Sequence, residues 1–257
     1  DGIATRAAGF ANNNALSELN LAQAQEIEVI RGPASAVYGS NAVHGIINVL
    51  TRTPDDSDQL TLIAGPNQRY QIQGSVGNEL NQQHGLSSNF QLIDDGGYRD
   101  DSGFRALKLN LRHDYATGDD QFKTSISGFV LDQQTAGFIS SKDNSGSVDT
   151  PGCYFSTYSD EYLYQDNQAM RKNCDSDAYR KWSSLRVATR WQRRLTNDTN
   201  VSVTPYFRSN TMEFRQHYLP SKAIEENSHY SLGLLSSYNW KINPQLTLTS
   251  GIDLELT

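Results

Sequence analysis

Long apolar runs are missing from this chain of 257 residues. No window approaches the roughly 18 consecutive apolar residues of a membrane-spanning helix, so helical spans are excluded. That absence leaves β-barrel spans open, because a barrel strand shows only about 10 residues of alternating polarity. Positive charge is also in short supply: Lys and Arg number 22 against 29 Asp and Glu, a net charge of −7. Nucleic-acid-binding domains carry a basic stripe, and this balance excludes that class of partner. Local catalytic signatures are missing too. There is no phosphate-binding GxxxxGK(S/T) loop, no GxGxxG opening a helix, no HExxH and no GxSxG. The five histidines (44, 84, 113, 217 and 229) are dispersed. The run Asp143–Asp149 (DNSGSVD) has a calcium-loop flavour but lacks the later Glu, and reads as a turn-forming loop. No metal, no cofactor and no enzymatic chemistry are expected.

Cysteine is scarce: only Cys153 and Cys174 are present. Neither has a Cys or His neighbour at zinc-ligand spacing. Two readings stand for them. In one they form a disulfide, which closes a loop of about 20 residues, contributes about 3 kcal/mol and implies an oxidising compartment or the cell exterior. In the other they are two unrelated free thiols.

What the chain does contain is alternation. Residues 1–54 are mixed, with a short helical or turn segment expected over Ala15–Gln25 and a strand at Ile27–Ile30. Gly32-Pro33 ends that strand, Ala34–Tyr38 reads as a helical turn closed by Gly39, and Gly45–Thr51 reads as a second strand. From Gln59 onward the pattern is strands with a period of two. Leu107, Leu109 and Leu111 alternate with Lys108, Asn110 and Arg112. Leu185, Val187 and Trp191 alternate with Arg186, Ala188 and Arg190. Val201, Val203 and Phe207 alternate with Ser202, Thr204 and Arg208. Leu246, Leu248, Leu254 and Leu256 stand opposite Thr247, Thr249, Asp253 and Glu255. About nine such strands are expected, each about 10–15 residues long, well beyond the usual 5–6.

The connections alternate as well. Ala116–Asp119, Thr196–Thr199 and Asn243–Gln245 are short turns; Asp95–Gly103, Gln133–Asp177 and Tyr218–Glu226 are longer. Antiparallel pairing sends the short turns to one end of the sheet and the long loops to the other, as in outer-membrane barrels. Tyr115, Trp182, Trp191, Tyr238 and Trp240 sit near strand ends, where an interfacial girdle belongs. A soluble β-sandwich also alternates, but lacks this sorting. The fold expected is all-β: a partial transmembrane antiparallel barrel over residues 55–257, preceded over 1–54 by the end of a small α+β domain. Starting at Asp1 without Met or signal peptide and stopping at Thr257 within an alternating run, the chain reads as an internal piece of a longer protein.

The stretch Ile27–Pro54, IEVIRGPASAVYGSNAVHGIINVLTRTP, closely resembles the end of the plug domain of TonB-dependent outer-membrane receptors. The matching positions include Arg31, Gly32, Pro33, Tyr38, Gly39, Asn48 and Arg52. His44 departs from the family's usual Gly; because His tolerates the left-handed region better than most residues, a local accommodation is expected there. The resemblance implies a transporter in the outer membrane of a Gram-negative bacterium. It would import a scarce nutrient such as an iron–siderophore complex, haem, cobalamin or an oligosaccharide. Its partners would be TonB, through a segment absent from this sequence, and outer-membrane lipid. The resemblance also implies that plug arginines pair with barrel-wall carboxylates, making Arg31 and Arg52 candidates with Asp253 and Glu255. In the orientation it implies, the loop holding Cys153 and Cys174 lies outside the cell. Tyr154, Phe155, Tyr158, Tyr162, Tyr164 and Arg171 in that loop suit capture of a rigid ligand, and equally suit loop packing. Two rival functions stand beside it: an outer-membrane barrel hydrolase and a secreted soluble β-rich ligand-binding module.

Overall fold

The computed structural model describes residues 2–5, 15–21, 24–38, 42–55, 58–136, 173, 176–215 and 223–257, the side chains of residues 15, 16, 36 and 37 excepted. The described residues form two sheets. The smaller pairs β1 (Ala24–Arg31) with β2 (Gly45–Thr51) antiparallel. Between them, Gly32 turns the chain at φ +98° and a single helical turn, α1, spans Ser35–Tyr38. Within the Ala15–Gln25 segment the described residues form a 3-10 turn over Ala15–Glu18, and β1 begins at Ala24, earlier than the apolar core of that strand suggests. His44 is not among the residues with positive φ, so the expected accommodation is not made there. The demand falls on the next residue. Gly45 has φ +153°, and a Cβ on it would sit 2.6 Å from the Ile30 carbonyl oxygen. Only glycine lets β1 and β2 close at this point.

The larger sheet is an antiparallel meander of ten strands. They are β3 (Gln59–Gly65), β4 (Arg69–Glu79), β5 (His84–Asp95), β6 (Phe104–Thr117), β7 (Asp120–Gln134), β8 (Tyr179–Thr196), β9 (Thr199–Arg215), β10 (Ile224–Asn243), β11 (Leu246–Ser250) and β12 (Asp253–Leu256). β11 and β12 both pair with β10, at Tyr238–Asn243 and Leu232–Leu235 respectively. They are two lengths of one stave, interrupted at Gly251-Ile252, so the sheet has the nine staves that the alternation implies. The Ser236 hydroxyl spans the interruption, accepting from Ile252 N at 3.1 Å and donating to Ile252 O at 2.7 Å.

The connections sort by end. Links 80–83, 118–119, 197–198 and 244–245 share one end of the sheet; 96–103, 135–178 and 216–223 share the other. One link breaks the length rule. Residues 66–68 join β3 to β4 at the long-loop end by a tight turn, with Asn67 and Gln68 at φ 59° and 57°. No helix among the described residues is long and apolar enough to cross a membrane.

Burial is inverted relative to a soluble protein. One face of the sheet exposes Leu60, Leu62, Ile72, Leu107, Leu232 and Leu254. The opposite face buries Gln71, Asn89, Gln91, Arg112, Arg208 and Asn210. Soluble domains rarely expose an apolar surface of this extent, and polar residues of these types are seldom buried unless paired. An apolar solvent outside and a polar filling inside satisfy both faces, which is the barrel solution.

The aromatic girdle needs one correction. His84, Tyr115 and Phe122 stack in succession on the apolar face at the short-turn end, with centroids 4.5 Å and 5.9 Å apart. Trp191 is the cross-strand partner of Phe122, and its indole N–H donates to Asp120 at 2.8 Å. Tyr238 and Trp240 continue this face on β10. Trp182 does not belong with them. It lies 2 % exposed on the inner face, edge-on to Phe129 at 5.2 Å, in a cluster with Ala106, Leu131, Met212 and Phe214. Its even position on β8 places it opposite Leu185 and Val187, and proximity to a strand end could not reveal that.

Candidate functional site

The inner face of the large sheet carries cations at Lys108 and Arg112 on β6, Arg186 on β8 and Arg208 on β9. Alternation sends them all inward, because their neighbours Leu107, Leu111, Leu185 and Phe207 hold the outer face. Each reaches a different part of the N-terminal segment. Lys108 Nζ donates to Leu19 O at 2.8 Å. Arg112 Nη1 donates to Thr51 O and Arg52 O at 3.1 and 3.2 Å. Arg208 Nη1 donates to Ala4 O at 2.9 Å. Arg186 pairs with the Glu18 carboxylate, whose side chain is fully buried, and Ser184 donates to the same oxygen at 2.9 Å. Three of the four anchors therefore end on backbone carbonyls and one on a carboxylate.

Wall carboxylates hold these cations in place. Asp114 accepts Arg112 in a two-point pair, at 2.7 and 2.6 Å. Glu255 on β12 accepts Arg208, Tyr206 and Thr257, while Arg208 Nε donates to Ser231 at 3.3 Å. Arg208 is 1 % exposed, so this ring of partners is what makes its burial tolerable. A charge-assisted hydrogen bond of this kind contributes about 1.5–3 kcal/mol.

At the short-turn end the N-terminal segment leaves the interior past Pro54. A Cβ on Gly77 would lie 2.6 Å from Pro54 O, and one on Gly85 2.7 Å from the Pro54 ring. These two glycines give Pro54 its passage against the wall. Beside it opens a polar cavity of about 470 Å³, lined by Thr53, Pro54, Arg112, Asp114, Lys123 and Arg190 among others.

The residues expected from sequence are distributed unevenly. Arg31 ends β1 and is exposed; Gly32 and Pro33 make the turn; Tyr38 ends α1 and is exposed. Asn48 donates to Glu28 at 2.7 Å across β1 and β2. Arg52 Nη2 donates to Gln59 at 3.1 Å. Asp253 is exposed on β12, and Glu255 is engaged by Arg208 as above. The pairing of Arg31 or Arg52 with Asp253 or Glu255 is not among the described contacts. The cross-domain ion pair that is described runs the other way, from an N-terminal carboxylate to a wall arginine. Cys153, Cys174, Gly39, Tyr154, Phe155, Tyr158, Tyr162, Tyr164, Arg171 and the Asp143–Asp149 run all lie outside the described residues. Sequence reasoning missed Glu18 and the roles of Lys108, Arg112, Arg186 and Arg208. Their inward positions were readable; the distant segments they hold were not.

Among the described residues no group of three or more His, Cys, Asp or Glu is placed to hold a metal ion. What the inner wall offers is reversible: hydrogen bonds and ion pairs that can be made and broken without covalent change.

Residues 1–46 match the family described as the TonB-dependent receptor plug domain. Most of the chain is similar in fold to solved import receptors and transporters. The ferric-catecholate import receptor Fiu from E. coli, in its open form, is 13% identical with a TM-score of 0.65, over 91% of this chain and 39% of that one. The ferric citrate transporter FecA, unliganded, is 13% identical with a TM-score of 0.69, over 93% and 34%. The copper transporter OprC is 13% identical with a TM-score of 0.65, over 95% and 35%. This chain thus spans little more than a third of the length of these structures, and at such identities the likeness is one of fold.

Proposed function

From a plug-domain match at the N-terminus and a receptor-barrel fold beyond it, we propose that this chain is part of a TonB-dependent outer-membrane transporter, with residues 1–54 in the plug and 55–257 in the barrel. The observation that carries the reading is the seating of the plug-like segment on the polar face of an otherwise inside-out sheet, held by Arg112, Arg186 and Arg208. The apolar face with its aromatic row lies in lipid. The short-turn end is periplasmic and the long-loop end, with the Cys153 and Cys174 loop, is extracellular.

In this reading a scarce nutrient such as an iron–siderophore complex binds from outside. Tyr154, Phe155, Tyr158, Tyr162, Tyr164 and Arg171 are the proposed contacts, and Cys153–Cys174 the disulfide that shapes them. TonB then transmits work from the proton gradient of the inner membrane. Wall-to-plug bonds break in turn, the plug rearranges, and the cargo leaves through the polar cavity beside Pro54. The protein is not an enzyme, since no bond of the cargo need be altered.

Uptake by cells carrying the complete gene, measured with a panel of iron–siderophore, haem, cobalamin and oligosaccharide ligands with and without TonB, tests this. Accumulation of one ligand that is lost without TonB is expected. Uptake indifferent to TonB overturns the mechanism.

A further inference from the structure

Arg186 and Arg208 are direct cross-strand partners in the β8–β9 register, on the same inward face. Like charges directly opposed on an antiparallel pair repel. The wall tolerates them because each guanidinium has its own carboxylate, but the two carboxylates differ in origin. Glu255 belongs to β12, part of the same sheet, and remains with Arg208 whatever the N-terminal segment does. Glu18 belongs to the plug-like segment, and Arg186 and Ser184 hold it against the wall. Withdrawal of that segment therefore leaves two adjacent arginines with one carboxylate, in a site already shaped for a second. The shape is explicit: a guanidinium, a hydroxyl at 2.9 Å from the oxygen it serves, and walls that bury the carboxylate completely.

We propose that Arg186, Arg208 and Ser184 form a latent oxyanion site in the barrel wall, filled at rest by Glu18 and opened to a carboxylate or phosphate group of the passing cargo when the plug moves. Glu18 acts as a tethered stand-in for that group. Arginine forks suit planar and tetrahedral oxyanions alike, and they discriminate against neutral groups of the same size. The idea that the occupant is cargo rests on the transport reading above; the existence of the site does not.

Chemical rescue separates the two. In the complete receptor, Glu18→Ala removes the stand-in and leaves space matched by acetate. Hydrogen exchange at amides 15–21 should accelerate at least about tenfold in this variant, since one partner of a buried pair is lost. Acetate at tens of millimolar should restore most of the protection. Acetamide, its neutral isostere, should not, and neither ligand should act on Glu18→Ala combined with Arg186→Met. If Glu18→Ala does not fold, Glu18→Gln keeps the volume and removes the charge: exchange at amides 15–21 should then quicken in Glu18→Gln but no further in Glu18→Gln combined with Arg186→Met, and an Arg186→Met effect unchanged by Glu18→Gln overturns the site. Equal responses to the acid and amide forms, or equal responses with and without Arg186, overturn the site. A receptor that shows rescue but transports independently of TonB keeps the site and refutes the functional reading; one that transports with TonB but shows no rescue refutes the site alone.

Discussion

The two faces of the large sheet are built from the same strands and even from adjacent residues, yet they obey opposite rules. On the outer face a leucine at 40–70 % exposure is in its proper place, as at Leu107, Leu62 or Leu232. On the inner face an arginine at 1 % exposure is in its proper place, as at Arg208. The difference lies in what each face meets. Outside, nothing can accept a hydrogen bond, so every polar group is a cost. Inside, a polar segment supplies carbonyls and a carboxylate, so cations are held and a methyl group would leave those acceptors unserved. Exposure alone is therefore a poor guide to stability in this protein; the identity of the neighbouring phase decides.

The largest effect is expected where an inner-face partner is removed. Arg186→Met leaves the Glu18 carboxylate buried without its ion pair and should destabilise the seating of residues 15–21 by about 3–5 kcal/mol, read from amide exchange. Next comes a charge on the wrong face. Leu111→Lys, at mid-strand on the outer face, should cost about 2–4 kcal/mol in folding titrations from lipid vesicles. Its neighbour Asn110→Glu, directed inward between Lys108 and Arg112, should stay within about 1 kcal/mol. Similar costs for the two would show that the faces do not differ in what they tolerate. Gly45→Ala tests the small sheet and should cost about 1–3 kcal/mol of local stability, from the left-handed φ and the close Ile30 carbonyl, visible as faster exchange across β1 and β2. The smallest effect belongs to a pair with no phase to protect it. Arg105 and Asp94 touch at 3.2 Å with side chains 80 % and 56 % exposed, and Arg105→Ala should change folding stability by less than about 0.5 kcal/mol.

Period-two alternation made the staves, their faces and their turns legible in the residues themselves, because lipid and lumen impose opposite demands on successive positions. Leu107 to Arg112 states its two faces in six letters. The IEVIRGP run made the N-terminal segment legible through resemblance. What could not be read was which inward residue meets which distant one. Glu18 and Arg186 are separated by 168 positions, and no periodicity links them. The expected polarity of the plug–wall pairing, plug cation to wall anion, came from the family pattern; the described pair has the signs exchanged. Trp182 departs from the girdle for a related reason: nearness to a strand end predicts a girdle only for the outward parity. The Pro66–Gln68 turn is not legible in the sequence because its brevity belongs to the opposite end of the sheet.

Lys108, Arg112 and Arg208 grip main-chain oxygens at residues 4, 19, 51 and 52. Every residue type supplies such an oxygen, so substitutions at those four positions leave the acceptors in place. The grip is in this sense blind to the gripped sequence. A genetic screen for receptors with loosened plugs should therefore return lesions in β6 and β9 far more often than at positions 4, 19, 51 or 52, with Glu18, gripped through its side chain, standing apart from those four. Drift at those four positions is buffered by the wall, while loss of a gripping cation is not buffered by them.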